Sequence, residues 1–488
     1  MKPHLVILGV TTSDSLDAVD TVITKFSPDG GIQDAQHYSS PFPSDLAEQM
    51  RSMKDTLCDC NGDISQVEKR IIPPRSLSAI HDYYIKTVAE ACLATIVTAR
   101  TLKTIERGQT PDLVGLHSSP CAHLPPSIAR HNNSIPYTAE MGDGQALANI
   151  LDIPVTYDFC ADDIMNGGEG GPFTPIHHLH LALHAKSRGA FPIAFINAGT
   201  SGNISVVTNQ LGKREPSVLS WDTGPFNYFP DLLAQREAGI SHDLNGEIGL
   251  LGSVNETLLR MLFERSAVTR DGKNCLSQPP PRSSDPESYR EIPELSGTAP
   301  VDGKILSLAD RMRTAEYFAA YLTMYALSFV PSDCEFPHFY GLCGGGWKNP
   351  VSTSHFRFLM RHSPGQIILK EHEGIYHALI ARLGKRKPTV ESSSAFGFDP
   401  NSMEARIFAD AAARLVWGEP FSQPSITGVA KPTICGRIRF PTNRDPKEFI
   451  VGRYLAEQGT LIERLGARDF LDRRFGRAIP GWKALASL

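Results

Sequence analysis

The sequence predicts an α/β protein with mixed sheets, and three observations lead there. Its 488 residues, 41% of them hydrophobic, exceed one ordinary core and imply two or more packed domains. Short apolar runs bounded by Gly, Pro, Asn or Asp recur along the chain as strands. Helical patterns lie between the later runs, and the spacings mix hairpins with crossovers.

In chain order, Leu5–Val10 and Asp20–Phe26 read as strands around the opening loop of "ILGVTTSDSLDAVD". Ser78–Glu106 reads as a long helix, because Ile85, Val88, Cys92, Ile96 and Ala99 recur at three- and four-residue steps and share one inward face. Strands follow at Asp112–Leu116, Val155–Phe159, Ile193–Ile196, Ile204–Val207, Val218–Trp221, Phe339–Leu342 and Ile367–Leu369. Gly249–Glu264, Leu306–Phe329 and Met403–Trp417 read as helical. The polar, proline-bearing segment Thr269–Pro300 reads as a loop or lid, and the charge-dense Asp445–Leu488 as an appended helical tail. No internal repeat is visible, although a duplicated fold can lose all sequence symmetry.

Composition removes several function classes. Lys+Arg 48 against Asp+Glu 53 gives a net charge of −5, without the basic stripe a phosphate-backbone binder needs, so no nucleic-acid partner is expected. The nine cysteines are odd in number, scattered and without a C-x-x-C pair, which argues against a disulfide framework or a zinc ribbon. The first apolar run is too short for a secretory segment and no run reaches membrane-spanning length, so no membrane partner and a cytoplasmic location are expected.

Chemistry gathers in four clusters. "DFCADDIMNGGEGGPFTP" packs Asp158, Asp162, Asp163 and Glu169 around Gly167, Gly168, Gly170 and Gly171. It is either a close backbone approach to a polar ligand or a solvated acidic turn. "INAGTSGNISVV" is a small-residue turn between strands, either an anion cradle or a plain hairpin. "SWDTGPFN" sets Asp222 at a strand end, as a proton-accepting carboxylate or a turn former. "CGGGWKNP" has three glycines after a strand and before a helix, which favours a nucleotide site over a loose loop. His177, His178, His180 and His184 lack the Glu of an H-E-x-x-H site and read as solvated or core-edge side chains rather than metal ligands.

In order and spacing these clusters resemble one family, the anhydro-N-acetylmuramic acid kinases with their fungal levoglucosan kinase relatives, in the sugar kinase, Hsp70 and actin superfamily. The resemblance runs from residue 5 to about 440. Gly9 to Asp20 is similar to G-x-M-S-G-T-S-x-D-G-x-D, and "HSSP" at His117 weakly to H-G-Q-T. "AEMGDG" stands where the family has L-Q-x-G-D, and Asp158 to Phe173 where it has D-F-R-x-x-D-x-A-x-G-G-Q-G-A-P-L. Asn197–Asn203, Asp222–Asp231, Cys343–Asn349, Met403–Ala405 and Pro424–Gly428 match the later motifs in turn.

The resemblance implies two ribonuclease-H-like, actin-like lobes, residues 1–192 and 193–441, closing a cleft, with 442–488 as a tail. It implies ATP held by Gly9, Thr12, Ser13, Ser15 and Asp17 of the first phosphate hairpin, Asn197 and Gly199 of the second, and Gly344, Gly345, Gly346 and Asn349 of an adenosine platform. Mg²⁺ would sit near Asp17 and Asp20. Asp222 would be the general base, and Asp158, Asp163, Gly168, Glu169, Asn227, Asp231 and Glu404 would surround a small-molecule sugar. The family's dimeric habit implies a homodimer.

Departures cluster as well. Ser13-Asp14-Ser15 replaces G-T-S, Ala18 replaces a glycine, Ser119-Pro120 replaces Gln-Thr, and Cys160 replaces the D-F-R arginine. The resemblance therefore implies an ATP-dependent kinase that hydrolyses a 1,6-anhydro sugar and phosphorylates O6. The alternative is a degenerate pseudokinase that binds a sugar or a partner protein.

Overall fold

The structure, a computed structural model, describes residues 1–12, 16–59, 70, 76–126, 129, 136–267, 274, 276, 277, 279 and 289–465. Its chain contacts divide into two units, Met1–His180 with Asn401–Leu488, and Leu181–Pro400.

The first unit is built on six strands, β1 (Leu5–Thr12), β2 (Ala18–Phe26), β3 (Ile32–Pro41), β4 (Leu113–His117), β7 (Val155–Tyr157) and β13 (Arg437–Arg439), in the order β13-β7-β4-β1-β2-β3. β5 (Pro120–Leu124) and β6 (Tyr137–Glu140) form a separate hairpin. β1, β2 and β3 make an antiparallel meander, β4 runs parallel to β1, and β7 parallel to β4. β1 is buried almost throughout, as a strand covered on both faces must be. Leu8 and Val10 join a core with Ile85, Val88, Cys92 and Ile96 of helix Leu77–Thr101. That helix starts where Ser76 accepts the Ala79 amide at 3.1 Å.

Between Leu8 and Val10, Gly9 turns to the opposite face, where helix Met403–Trp417 lies across β1, β2 and β4. Gly9 pairs in register with Gly115 of β4. A Cβ on Gly9 would stand 2.1 Å from the Ala405 carbonyl oxygen, and one on Gly115 2.2 Å from that of Phe408. Two side-by-side glycines thus let the helix backbone rest on the sheet.

The second unit has β8 (Ile193–Ala198), β9 (Ser201–Thr208), β10 (Ser217–Pro225), β11 (Phe339–Cys343) and β12 (Thr389–Ser392), ordered β10-β9-β8-β11-β12. β8, β9 and β10 form an antiparallel meander, while β11 and β12 continue in parallel. This order repeats that of the first sheet up to its β13 edge, a duplication carried by topology and not by sequence. Helix Leu308–Ala326 is buried along most of its length in a core with Ile196, Ile204, Trp221 and Phe356.

Several boundaries differ from those expected. The units divide at 180 and 400, not at 192 and 441, because Met403–Trp417 and β13 pack with the first sheet. The start of the expected tail also belongs there, since Val451 and Leu455 of helix Ile450–Glu457 are buried. The rest of the tail, 466–488, and most of Thr269–Pro300 lie outside the described residues. Ile367–Leu369 is not a strand: Tyr317 Oη donates to the Ile367 carbonyl at 2.8 Å and accepts its amide at 3.0 Å, fixing that backbone without a ladder. Gly249–Glu264 divides into a 3₁₀ turn, Gly249–Leu251, and helix Glu256–Arg265. Among the described residues no helix is long and apolar enough to cross a membrane.

Candidate functional site

Three distant motifs converge in the second unit. At the turn between β8 and β9, the Gly199 amide donates to the Ser201 carbonyl at 3.1 Å. The chain leaving β10 folds under this tip: the Phe226 amide donates to Thr200 at 2.9 Å and the Asn227 amide to Gly199 at 3.1 Å. Tyr289 Oη donates to Ser201 Oγ at 2.8 Å. The glycine run after β11 then closes against both segments. Gly344 has φ +88, and a Cβ there would lie 2.5 Å from both the Ala198 carbonyl and Asn197 Oδ1. A Cβ on Gly346 would stand 2.6 Å from Asn227 Oδ1 and 2.7 Å from the Phe226 ring. Gly345 has no atom within 4 Å of such a position, so its backbone is open to a ligand.

Asn349 has two tasks in the same unit. Its Oδ1 accepts the Val351 amide at 2.8 Å, capping helix Pro350–Met360, and its Nδ2 donates to Glu316 Oε1 at 2.6 Å. Glu316 is fully buried. Burial pushes its carboxyl up to about 8, Asn349 partly offsetting this and the charge of Asp243 adding to it. Sequence pointed to Asn349 but not to its acid, since one Glu in an otherwise buried helix carries no motif. Asp222 is half-buried on β10, in register with Asn203 of β9 and just before a bulge at Gly224. Asp231 is pushed up to about 6 by burial, His242 acting the other way.

In the first unit, Thr12 at the end of β1 is buried, with Oγ1 2.9 Å from Tyr84 Oη, which accepts the Ser119 amide at 3.0 Å. Ser13, Asp14 and Ser15 lie outside the described residues. Asp17 is exposed. Asp20 is partly buried, which opposes its charge, but His37 and Ser39 hold its carboxyl below the usual value. Its Oδ1 is 3.8 Å from His37 Nε2. Gly9 sits in mid-strand beneath the helix and serves packing.

The glycine-aspartate segment is a built turn and not a loose acidic loop. Asp163, fully buried, accepts the Gly170 amide at 2.7 Å, and a Cβ on Gly168 would lie 2.2 Å from its Oδ2. Burial raises the Asp163 carboxyl, with Ser422 and Thr427 as counteracting donors. The Glu169 amide donates to Thr427 at 2.7 Å. Asp158 is buried at φ 65, and Glu404 is exposed in the first turn of helix Met403–Trp417. Asp162 accepts the Gly436 amide at 3.1 Å and pairs with Arg437 at 3.0 Å, anchoring β13.

His177, His178 and His180 belong to the first unit, whereas His184 belongs to the second, its ring 5.8 Å from that of Phe398. Asp410 Oδ2 accepts from Nδ1 of His177 at 2.8 Å and of His180 at 2.6 Å, and Arg406 Nε donates to His177 Nε2 at 3.3 Å. Burial pushes His177 down to about 4, so the ring is neutral. A cavity of about 1020 Å³ between Val6, Lys25, Arg100 and Arg107 contains none of the candidate residues.

The family model for anhydro-N-acetylmuramic acid kinase matches residues 5–366. The chain is 27% identical over 434 residues to an anhydro-N-acetylmuramic acid kinase of Rhizorhabdus wittichii, covering 89% of this chain and 98% of the relative. It is 31% identical over 329 residues to one of Caulobacter vibrioides, covering 67% and 73%. A ligand-bound xylulose kinase from Lactobacillus acidophilus aligns over 94% of this chain and 97% of its own at 11% identity, with a TM-score of 0.30, too slight a likeness to inform the fold.

Proposed function

The chain belongs to the anhydro-N-acetylmuramic acid kinase family, and from that premise we propose that it is an ATP-dependent carbohydrate kinase acting on a 1,6-anhydro sugar. The observation that carries the proposal is the convergence of Asn197–Gly199, Phe226–Asn227 and Gly344–Gly346 around an open glycine backbone. The glycine backbone left open at this turn would admit a nucleotide closely, and a side chain on Gly344 or Gly346 would collide with its neighbours.

ATP supplies the transferred phosphoryl group when bound. Asn197 and Gly199 would border its phosphates, and Gly345, with its open backbone, and Asn349, fixed by Glu316, would border its nucleoside. Of the two carboxylates expected near Mg²⁺, exposed Asp17 suits a hydrated ion that takes one or two protein ligands, whereas Asp20 is engaged by His37. Asp222 would take a proton from the water that attacks the anomeric carbon. The C1–O6 bond breaks as that new C–O bond forms, and O6 accepts the phosphoryl group. Asp158 and Glu169 would accept hydrogen bonds from sugar hydroxyls, while fully buried Asp163 would hold the turn through the Gly170 amide.

The test is Mg-ATP with a panel of anhydro and ordinary sugars, read by ADP release and product mass. The expected product of the anhydro substrate gains one water and one phosphoryl group, and Asp222→Asn lowers its formation by at least about 10²-fold. The sugar-binding pseudokinase reading draws on Asp14 in the first phosphate turn. It prevails if no sugar yields ADP above the Asp222→Asn background.

A further inference from the structure

Three positions, at the ends of β4 and β6 and in the first turn of helix Phe159–Met165, bring together an imidazole, a carboxylate and a thiol. One ligand atom each from His117, Glu140 and Cys160 lies within 4.8 Å of the others. We propose that these three side chains form a site for a borderline-soft divalent metal ion, with Zn²⁺ as the best match. Nitrogen, oxygen and sulfur donors together are the set zinc takes, whereas hard Mg²⁺ prefers oxygen alone. Zinc bonds of about 2.0–2.3 Å place tetrahedral ligands roughly 3.3–3.8 Å apart, so closure needs a contraction of at most about 1–1.5 Å, within reach of side-chain rotation.

A second observation points to a missing partner. Glu140 is only 5% exposed; the Cys160 thiol and the Ser118 backbone interact with its carboxylate, yet its Oε1 has no hydrogen-bond partner. A buried carboxylate oxygen left bare is costly, and a cation in the triangle would satisfy it. The site is also oriented from outside. The His117 ring stacks on Phe408 with centroids 4.1 Å apart and planes 4° from parallel, and Thr11 Oγ1 lies 3.4 Å from its Nδ1. Such an outer partner fixes the ring of a metal-bound histidine. Asp158 adds negative charge beside Glu140. Without metal, burial pushes the Glu140 carboxyl up to about 8 and raises the Cys160 thiol well above its ordinary value. Metal binding would release the thiol proton, and that of a protonated Glu140, to solvent. Both departures from the family pattern act in one direction: a thiol stands where the motif has an arginine, and an acid where it has a glutamine.

The experiment is Co²⁺ titration of the full chain followed by Zn²⁺ competition, which is independent of kinase turnover. One equivalent of Co²⁺ should produce a thiolate-to-cobalt charge-transfer band and the strong visible bands of four-coordinate cobalt, both abolished by Zn²⁺. Cys160→Ser should lose the charge-transfer band, Glu140→Gln should weaken Co²⁺ affinity at least tenfold, and Cys435→Ser should keep the band. The absence of a charge-transfer band in the folded wild-type chain overturns the site. So does a band that survives Cys160→Ser or disappears in Cys435→Ser.

Discussion

Asp14 and Glu316 show how differently two acids are read. Asp14 announces itself, because it interrupts a hydroxyl-rich turn of phosphate-cradle type. A carboxylate ~4 Å from a phosphate charge opposes binding by about 4 kcal/mol at an effective dielectric of ~20, or ~1 kcal/mol in water. Asp14→Thr is therefore expected to tighten ATP by about fivefold or more in calorimetry, and an unchanged affinity would show that this side chain does not face phosphate. Glu316 gives no such signal, since its significance comes from Asn349 and Asp243 meeting it in space. Its carboxyl titrates higher folded than unfolded, so the folded state binds more protons. That contribution is fully present below the unfolded value near pH 4.5 and is lost as pH rises through about 8. Denaturant melts at pH 5 and pH 8 should show a fall in stability that shrinks in Glu316→Gln. An equal fall in both proteins would remove Glu316 as its source.

The elements legible in advance were those whose burial leaves a pattern. β1, β8 and β11 are apolar because they are covered on both faces, and helix Leu77–Thr101 shows its inward face at the expected steps. β3 carries no apolar signature because its sequence, IQDAQHYSSP, is polar on a half-exposed edge. Ile367–Leu369 shows the opposite failure, an apolar run of three that fits core packing as well as a strand. The site was legible where glycines mark close approach, and illegible where Glu140 and Cys160 meet from separate elements. Gly9 and Gly115 give the sharpest element-scale expectation. Either one changed to Ala must lift helix Met403–Trp417 off the sheet, with an expected loss of about 1–3 kcal/mol in urea denaturation. Asp410 ties that helix to His177 and His180. Burial opposes its charge, but His180, Arg414 and His177 hold its carboxyl well below the usual range. Its contribution is thus present above the unfolded value near pH 4 and lost as pH falls. Asp410→Asn is expected to cost about 3–5 kcal/mol at neutral pH and to flatten the acid limb of the stability profile.

Across the whole molecule, one strand order appears twice while the sequence shows no repeat. Alternation and burial preserve a topology through many hydrophobic exchanges, which is why the duplication was invisible residue by residue. The units are also nested in the chain, since residues 401–465 complete a sheet begun at residue 5. A chain ending at Pro400 should therefore lose hydrogen-exchange protection in β1 and β4 while retaining it in β8 and β11. Undiminished protection in β1 would show that the first sheet is stable without helix Met403–Trp417.

That nesting sets an order of events at the ribosome. With synthesis at about 5–20 residues per second, the stretch between Gly115 and helix Met403–Trp417 takes about 15–60 s to emerge, and the whole guest is made within that wait. During that interval the two bare glycines on adjacent strands are an uncovered seam, the first place where a chaperone would be needed.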